Sequence, residues 1–179
     1  MSTPGSGRTL TIRPASPDDI SSIVELAQTI WRAHYPGIIS EAQVEYMLST
    51  MYAPERIGAE VRDPAMAYFI AEVDGAGVGF AAIGSTAETQ TAKLHKLYVL
   101  PEFQGTGIGR ALMQAALDHA GAQGKEDVIL AVNKRNQKAI EAYYKWGFRQ
   151  RDTVTVDIGG GFVMDDYIFE IAAPRVHRK

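Results

Sequence analysis

The stretch that most constrains this chain runs from Thr91 to Ala120. A strand-like segment, Thr91–Leu100, stops at Pro101. The glycine-rich run Gln104-Gly105-Thr106-Gly107-Ile108-Gly109 follows. A helical pattern over Gly107–Ala120 then carries Ile108, Leu112, Ala115, Ala116 and Leu117 as its apolar residues. The chain must turn from strand to helix at a point where glycines let the main chain approach a partner closely. Gly121 and Gly124 are expected to stop the helix.

The spacing of these glycines decides between ligands. A P-loop needs G-x-x-x-x-G-K-(S/T), but here Gly109 is followed by Arg110 and Ala111. A dinucleotide fingerprint needs G-x-G-x-x-G early in a βαβ unit, whereas this run reads G-x-G-x-G and comes late. What remains is a helix N-terminus with free N–H groups and the positive dipole end, which suits a phosphate or pyrophosphate. A plain strand–helix connection has the same appearance.

The flanking patterns place this unit in a larger fold. Thr9–Arg13 reads as a strand, and Ser16-Pro17-Asp18-Asp19 as a helix start before Ile20, Ile23, Val24, Ala27, Ile30 and Trp31. Ser40-Glu41-Ala42-Gln43 opens a second helix through Val44, Met47, Leu48 and Met51, and Pro54–Val61 a short third. Tyr68–Val73 and Val78–Ile83 form a hairpin about Asp74-Gly75. Val128–Val132 is a buried strand, Asn136–Trp146 a helix closed by Gly147, and Phe148–Ile158 with Phe162–Ile171 a final strand pair. This order predicts an α/β (mixed α+β) protein with a mixed sheet and helices on its faces.

Size and charge narrow the function. A chain of 179 residues suits one domain and should bury roughly 70% of its unfolded surface without a disulfide or metal. With no cysteine there is no thiolate nucleophile or thiolate metal site. A net charge of −3 argues against general nucleic-acid binding. No apolar run is of transmembrane length, and MSTPGSGR has no signal-peptide core, so the expectation is a cytoplasmic protein away from membranes. Residues 1–8 and the basic 173–179 read as tails around a domain at 9–172. No pair among His34, His95, His119 and His177 has metal-ligand spacing, so no metal is expected. His119, late in its helix, is expected at the surface.

Gln104-Gly105-Thr106-Gly107-Ile108-Gly109 has the form Q-x-x-G-x-G, which resembles the acyl-CoA signature of the GCN5-related N-acetyltransferases (GNAT). Leu97–Glu102 looks like that family's fourth strand and Leu130–Asn133 like its fifth. Asn136–Phe148 resembles the helix that follows, and Ile12–Asp19 the family's opening strand and helix. The resemblance covers most of the chain and is weakest over residues 34–65.

The resemblance implies a mostly antiparallel sheet of about seven strands whose fourth and fifth strands splay, with the pantetheine arm of acetyl-CoA in the gap. Leu97, Tyr98 and Val99 would line that arm, Leu97 and Val99 through their main chain. The amides of Gln104, Gly105, Thr106, Gly107, Ile108 and Gly109 would hold the pyrophosphate, with Arg110 adding charge. Asn136 and Asn133 would flank the arm. Tyr144 would be the general acid toward the CoA sulfur, with Tyr143 in the core. An ammonium of pKa about 10.4 is neutral in only about one molecule in 10³ at pH 7, so something must take its proton. His95, where some relatives place a glutamate, is either that base or a half-buried strand histidine. Glu41, Glu45, Glu72 and Asp166 are further candidates for base or anchor. Trp31, His34 and Tyr35 are acceptor-site candidates, with aromatic packing as the alternative.

The function implied is acetyl transfer from acetyl-CoA to a polyamine-like primary amine by direct attack in a ternary complex. The alternatives are protein N-termini or lysines as acceptors, a longer acyl group, or a silent acyl-CoA-binding sensor. A homodimer could form through the strands after Gly147.

Overall fold

The computed structural model describes residues 7–175, so most of the two expected tails lies outside the described residues. β1 (Leu10–Pro14) leads through a 3-10 turn at Pro17–Asp19 into α1 (Ile20–His34), α2 (Glu41–Met51) and α3 (Pro54–Arg62). Next come β2 (Met66–Val73), β3 (Ala76–Ser85), β4 (Thr91–Val99) and α4 (Ile108–Ala122). β5 (Asp127–Asn133), α5 (Gln137–Lys145), β6 (Arg149–Gly159) and β7 (Phe162–Ala172) complete the chain.

The strands form one seven-stranded sheet in the order β1-β2-β3-β4-β5-β7-β6. Every neighbouring pair is antiparallel except β4–β5. This is the mixed sheet expected. On one face α4 and α5 bury Leu112, Met113, Ala116 and Ile140 against Val128, Leu130 and Phe169. On the other, α1–α3 bury Ile23, Ile30, Trp31, Met47 and Ile57 against Tyr68, Ile70 and Phe80. The hairpin at Asp74-Gly75 has φ of 52° and 83°, as a two-residue turn that matches strand twist requires.

Two local expectations are corrected and one is refined. Ser16 caps and Pro17 opens a 3-10 turn, as the helix start expected there, and α1 proper begins at Ile20. The Asp19 carboxylate accepts two hydrogen bonds from Arg13, at 2.8 and 2.9 Å, and one from the Ser16 N–H at 2.8 Å, which tightens residues 17–19 into a 3-10 turn. Gly121 lies inside α4 rather than ending it. A Cβ there would sit 2.2 Å from the Pro174 carbonyl oxygen, so the glycine serves a close backbone approach, and Gly124 (φ 75°) follows the helix end. His119 is half-buried, edge-on to Phe69 at 5.9 Å. The packed chain also runs past residue 172: Ala173 is buried and donates its N–H to Glu126 O at 2.7 Å.

The α2 helix and the β6–β7 turn hold each other. Tyr46 on α2 donates to Ile158 O at 2.7 Å and lies over Gly159 and Gly160 in the β6–β7 turn. Gln43 donates to Val163 O at 2.8 Å. Among the described residues no helix is long and apolar enough to cross a membrane.

Candidate active site

β4 and β5 pair only from Thr91–Leu94 against Asp127–Leu130. Beyond that register both strands continue, to Val99 and Asn133, without pairing to each other. The gap opens a cleft of about 780 Å³ through the middle of the sheet. A bulge marks the start of the divergence. Ala82 faces Lys96 and Ile83 faces Leu94, which leaves His95 without a partner on β3. Bulges of this kind re-aim a side chain next to a site, and His95 lines the cleft.

At one end of the gap lies the glycine loop. Gly105 and Gly107 have φ of 75° and 88°, and a Cβ at either would meet nothing within 4 Å, so the loop is open to solvent. No main-chain N–H from Gly105 through Arg110 has an acceptor among the described residues; the first such bond of α4 is Ala111 N–H to Gly107 O. These free donors converge on the positive end of a 15-residue helix. Arg110, Lys138 and Lys145 line the same end of the cleft. The geometry is that of an anion cradle. Gly109 is helical and packs toward the Trp146 ring.

Several expected residues meet here. Leu97, Tyr98, Val99, Gln104, Gly105, Gly107, Gly109, Arg110, Asn133, Asn136, His95, Trp31, His34 and Tyr35 all line the cleft. Gln104 donates to the Val99 carbonyl at 3.1 Å and accepts from Lys138 at 2.5 Å. Asn136 is buried and caps α5 by accepting from Ala139 N–H at 3.4 Å, and its Oδ1 lies 3.2 Å from His34 Nε2. The side chains of Thr106 and Ile108 turn away, one donating to the Phe103 carbonyl and the other buried under α4.

Tyr144 is not brought to the cleft. It is 51% exposed and edge-on to Phe169, outside the lining. Tyr143 packs against the core, as expected, and also lines the cleft, and burial pushes its hydroxyl up to about 12. His95 faces the cleft, where the protein packed around its ring, then Lys93 and Lys96, lower it to about 4. The imidazole is therefore neutral at pH 7.

Another part of the cleft wall is aromatic. Trp31 packs 4.2 Å from Tyr35 and 5.1 Å from Tyr52, and the Tyr35 and Tyr98 hydroxyls are 3.3 Å apart. Burial holds these phenols well above their ordinary range. Trp31 Nε1 is buried without a partner among the described residues. Beside them Glu60 accepts from Lys96 at 2.7 Å, from Arg56 at 3.2 Å and from the Tyr68 hydroxyl.

Sequence reasoning missed Tyr52, Glu60 and Lys96, which carry no local motif. Among the described residues no group of His, Asp and Glu is arranged to hold a metal ion.

Comparison with known proteins agrees with this geometry. The family described as acetyltransferase (GNAT) matches residues 23–148. A spermidine N(1)-acetyltransferase of Thermoplasma acidophilum is 30% identical over 158 residues, 86% of this chain and 94% of that protein. An uncharacterised N-acetyltransferase of Methanocaldococcus jannaschii is 30% identical over 152 residues, 82% of this chain but only 64% of that protein's length. Among solved structures, the PaiA N-acetyltransferase of Thermoplasma acidophilum in complex with coenzyme A superposes with a TM-score of 0.80 at 27% identity, covering 92% of this chain and 99% of that one.

Proposed function

Because the chain belongs to the GNAT acetyltransferase family, we propose that it transfers the acetyl group of acetyl-CoA to a primary amine of a small molecule, by direct attack within a ternary complex. The observation that carries this reading is the unpaired stretch of β4 and β5 ending on a loop of unsatisfied N–H groups. A pantetheine arm fits the gap and a pyrophosphate the loop. The loop amides would bind the phosphates, with Arg110 and Lys138 adding charge.

The amine nitrogen attacks the thioester carbonyl carbon, the C–N bond forms and the C–S bond breaks. Tyr143 takes the acid role expected of Tyr144. Its hydroxyl is protonated at pH 7 and lines the gap, so it can hydrogen-bond to the departing thiolate and share its proton. A neutral His95 lowered to about 4 is a weak proton acceptor, so its part is to hydrogen-bond the acceptor. Trp31, Tyr35, Tyr52 and Tyr98 form an aromatic wall that suits the methylene chain and cation of an aliphatic amine. A polyamine-like acceptor is preferred, in keeping with the relative named for spermidine.

The test is thiol release from acetyl-CoA over a panel of primary amines that includes spermidine, putrescine, amino-acid amides and peptide N-termini. Amine-dependent release, fastest with aliphatic di- or polyamines, is expected. Tight CoA binding without turnover of any amine would instead mark a binding module.

A further inference from the structure

Asp166 lies on β7 directly opposite Asn133 of β5, beside the gap. It lines the cleft and is 4% exposed, and its carboxylate makes no hydrogen bond or ion pair with any described residue. The other acids near it are engaged. Asp165 is 2.6 Å from Lys134, and Glu60 carries Lys96, Arg56 and Tyr68. The carboxylate therefore meets the open space of the cleft rather than another side chain, and can receive a cation that enters there.

The register fixes where it points. Paired residues share a face, so Asp166 and Asn133 lie on one side of the sheet, while Phe169 opposite Leu130 lies on the other. Tyr143 packs against Phe169, at 6.3 Å between ring centres, on the α4–α5 side. Asp166 faces the α1–α2 side, and its charge acts on Tyr35 there. A thioester in the gap would thus have Tyr143 on one side and Asp166 on the other.

We propose that Asp166 receives the acceptor: its carboxylate binds the incoming ammonium and takes one of its protons as the nitrogen attacks the thioester carbon. This rests on the acetyl-transfer reading above. The balance is complete. Two protons leave the ammonium: one passes to the Asp166 carboxylate as the C–N bond forms, the C–S bond breaks with Tyr143 protonating the thiolate, the second nitrogen proton returns to the Tyr143 phenolate as the amide forms, and Asp166 gives its proton to solvent when the product leaves. The charged and titratable groups that face Asp166 are Lys93 on β4, Lys134 after β5, Asp165 on its own strand and Tyr35 at the end of α1. Burial outweighs the two lysines and raises the carboxyl to about 6, a value suited to proton transfer near neutrality. Lys93 makes no ion pair with a described residue. It leaves the carboxylate free for a closer cation.

The test uses the CoA-loaded chain and the isosteric Asp166→Asn, with Asp166→Glu as the conservative variant. With spermidine, or whichever panel amine turns over fastest, Asp166→Asn should lower kcat/KM for the amine by roughly 100-fold or more. It should also remove the acidic limb near pH 6 from the pH profile while CoA affinity stays within about twofold. Asp166→Glu should restore part of the rate with the limb. If Asp166→Asn keeps both rate and limb, or if the limb disappears in His95→Gln instead, the assignment is wrong. A second measurement needs no turnover: the 13C titration of the Asp166 carboxyl in the CoA complex should have its midpoint near 6 and fall when spermidine is added. A midpoint unmoved by every panel amine overturns the anchor. Absence of turnover with a midpoint that does move overturns only the acetyl-transfer reading.

Discussion

Tyr143 and Tyr144 are consecutive in α5, yet Tyr143 lines the cleft while Tyr144 stands on the outside against Phe169, 5.0 Å between ring centres. The separation follows from the helix, which turns by about 100° per residue. Tyr143→Phe removes the only hydroxyl that α5 presents to the cleft among the described residues. Its kcat for acetyl transfer should fall by roughly 10–100-fold, with the KM for acetyl-CoA little changed. Tyr144→Phe should stay within about threefold of the parent. Steady-state kinetics on the two variants decides which tyrosine serves the sulfur.

The loop prediction concerns Gly107. A residue there must hold a φ of 88°, which costs an L side chain about 1–2 kcal/mol. Nothing lies within 4 Å of its Cβ position, so Gly107→Ala should lower Tm by a few degrees and leave the KM for acetyl-CoA within severalfold. Gly107→Glu adds a carboxylate beside the free N–H groups and should raise that KM at least about 10–100-fold, while circular dichroism shows the same fold. Equal KM values for the two variants would show that the loop binds no phosphate.

Gly121→Ala makes a helix position intrinsically better by about 1 kcal/mol. It should nevertheless destabilise, because the new methyl would press on the Pro174 carbonyl 2.2 Å away. A loss of about 1–3 kcal/mol in urea unfolding is expected. Removing residues 174–179 should abolish most of the difference between glycine and alanine.

Two aspartates should give opposite pH dependences. Arg13 holds Asp19 down at about 2, from an ordinary 3.8. Its contribution of about 2–3 kcal/mol is present above pH 4 and is lost as pH falls toward 2. Asp19→Asn should therefore destabilise at pH 7 and converge with the parent below about pH 2. Burial raises Asp166 to about 6, so its ionisation costs the folded state stability as pH rises from about 4 through 6. Asp166→Asn should raise Tm by a few degrees at pH 8 and change little at pH 4. Thermal melts at pH 2, 4, 7 and 8 check both signs.

The order of elements along the chain and the glycine loop were legible because each rests on local signals: turn residues, periodicity and glycine spacing. Legible, too, was the gap between β4 and β5, through resemblance. Helix phase was not. The positions flanking Ile140 give α5 an apolar side, but they do not tell which of two adjacent tyrosines meets a cleft formed by strands elsewhere. Asp166 was visible only as one acid among several. Its isolation appears when β7 is laid beside β5, since 33 positions separate it from Asn133 in the chain (166 − 133). Lys96 and Glu60 meet only through packing, 36 residues apart.

The grip of Tyr46 on the β6–β7 turn joins two stretches far apart in the chain, with β4, β5 and the glycine loop in between. One stretch supplies Gln43, Met47 and Met51 to the lining of the cleft, and the other supplies Met164 and Asp166. Anyone transplanting a new acceptor preference into this scaffold must therefore carry both stretches together. Exchanging either one alone would leave a tyrosine without its seat, or two glycines, Gly159 and Gly160, under a side chain that no longer fits.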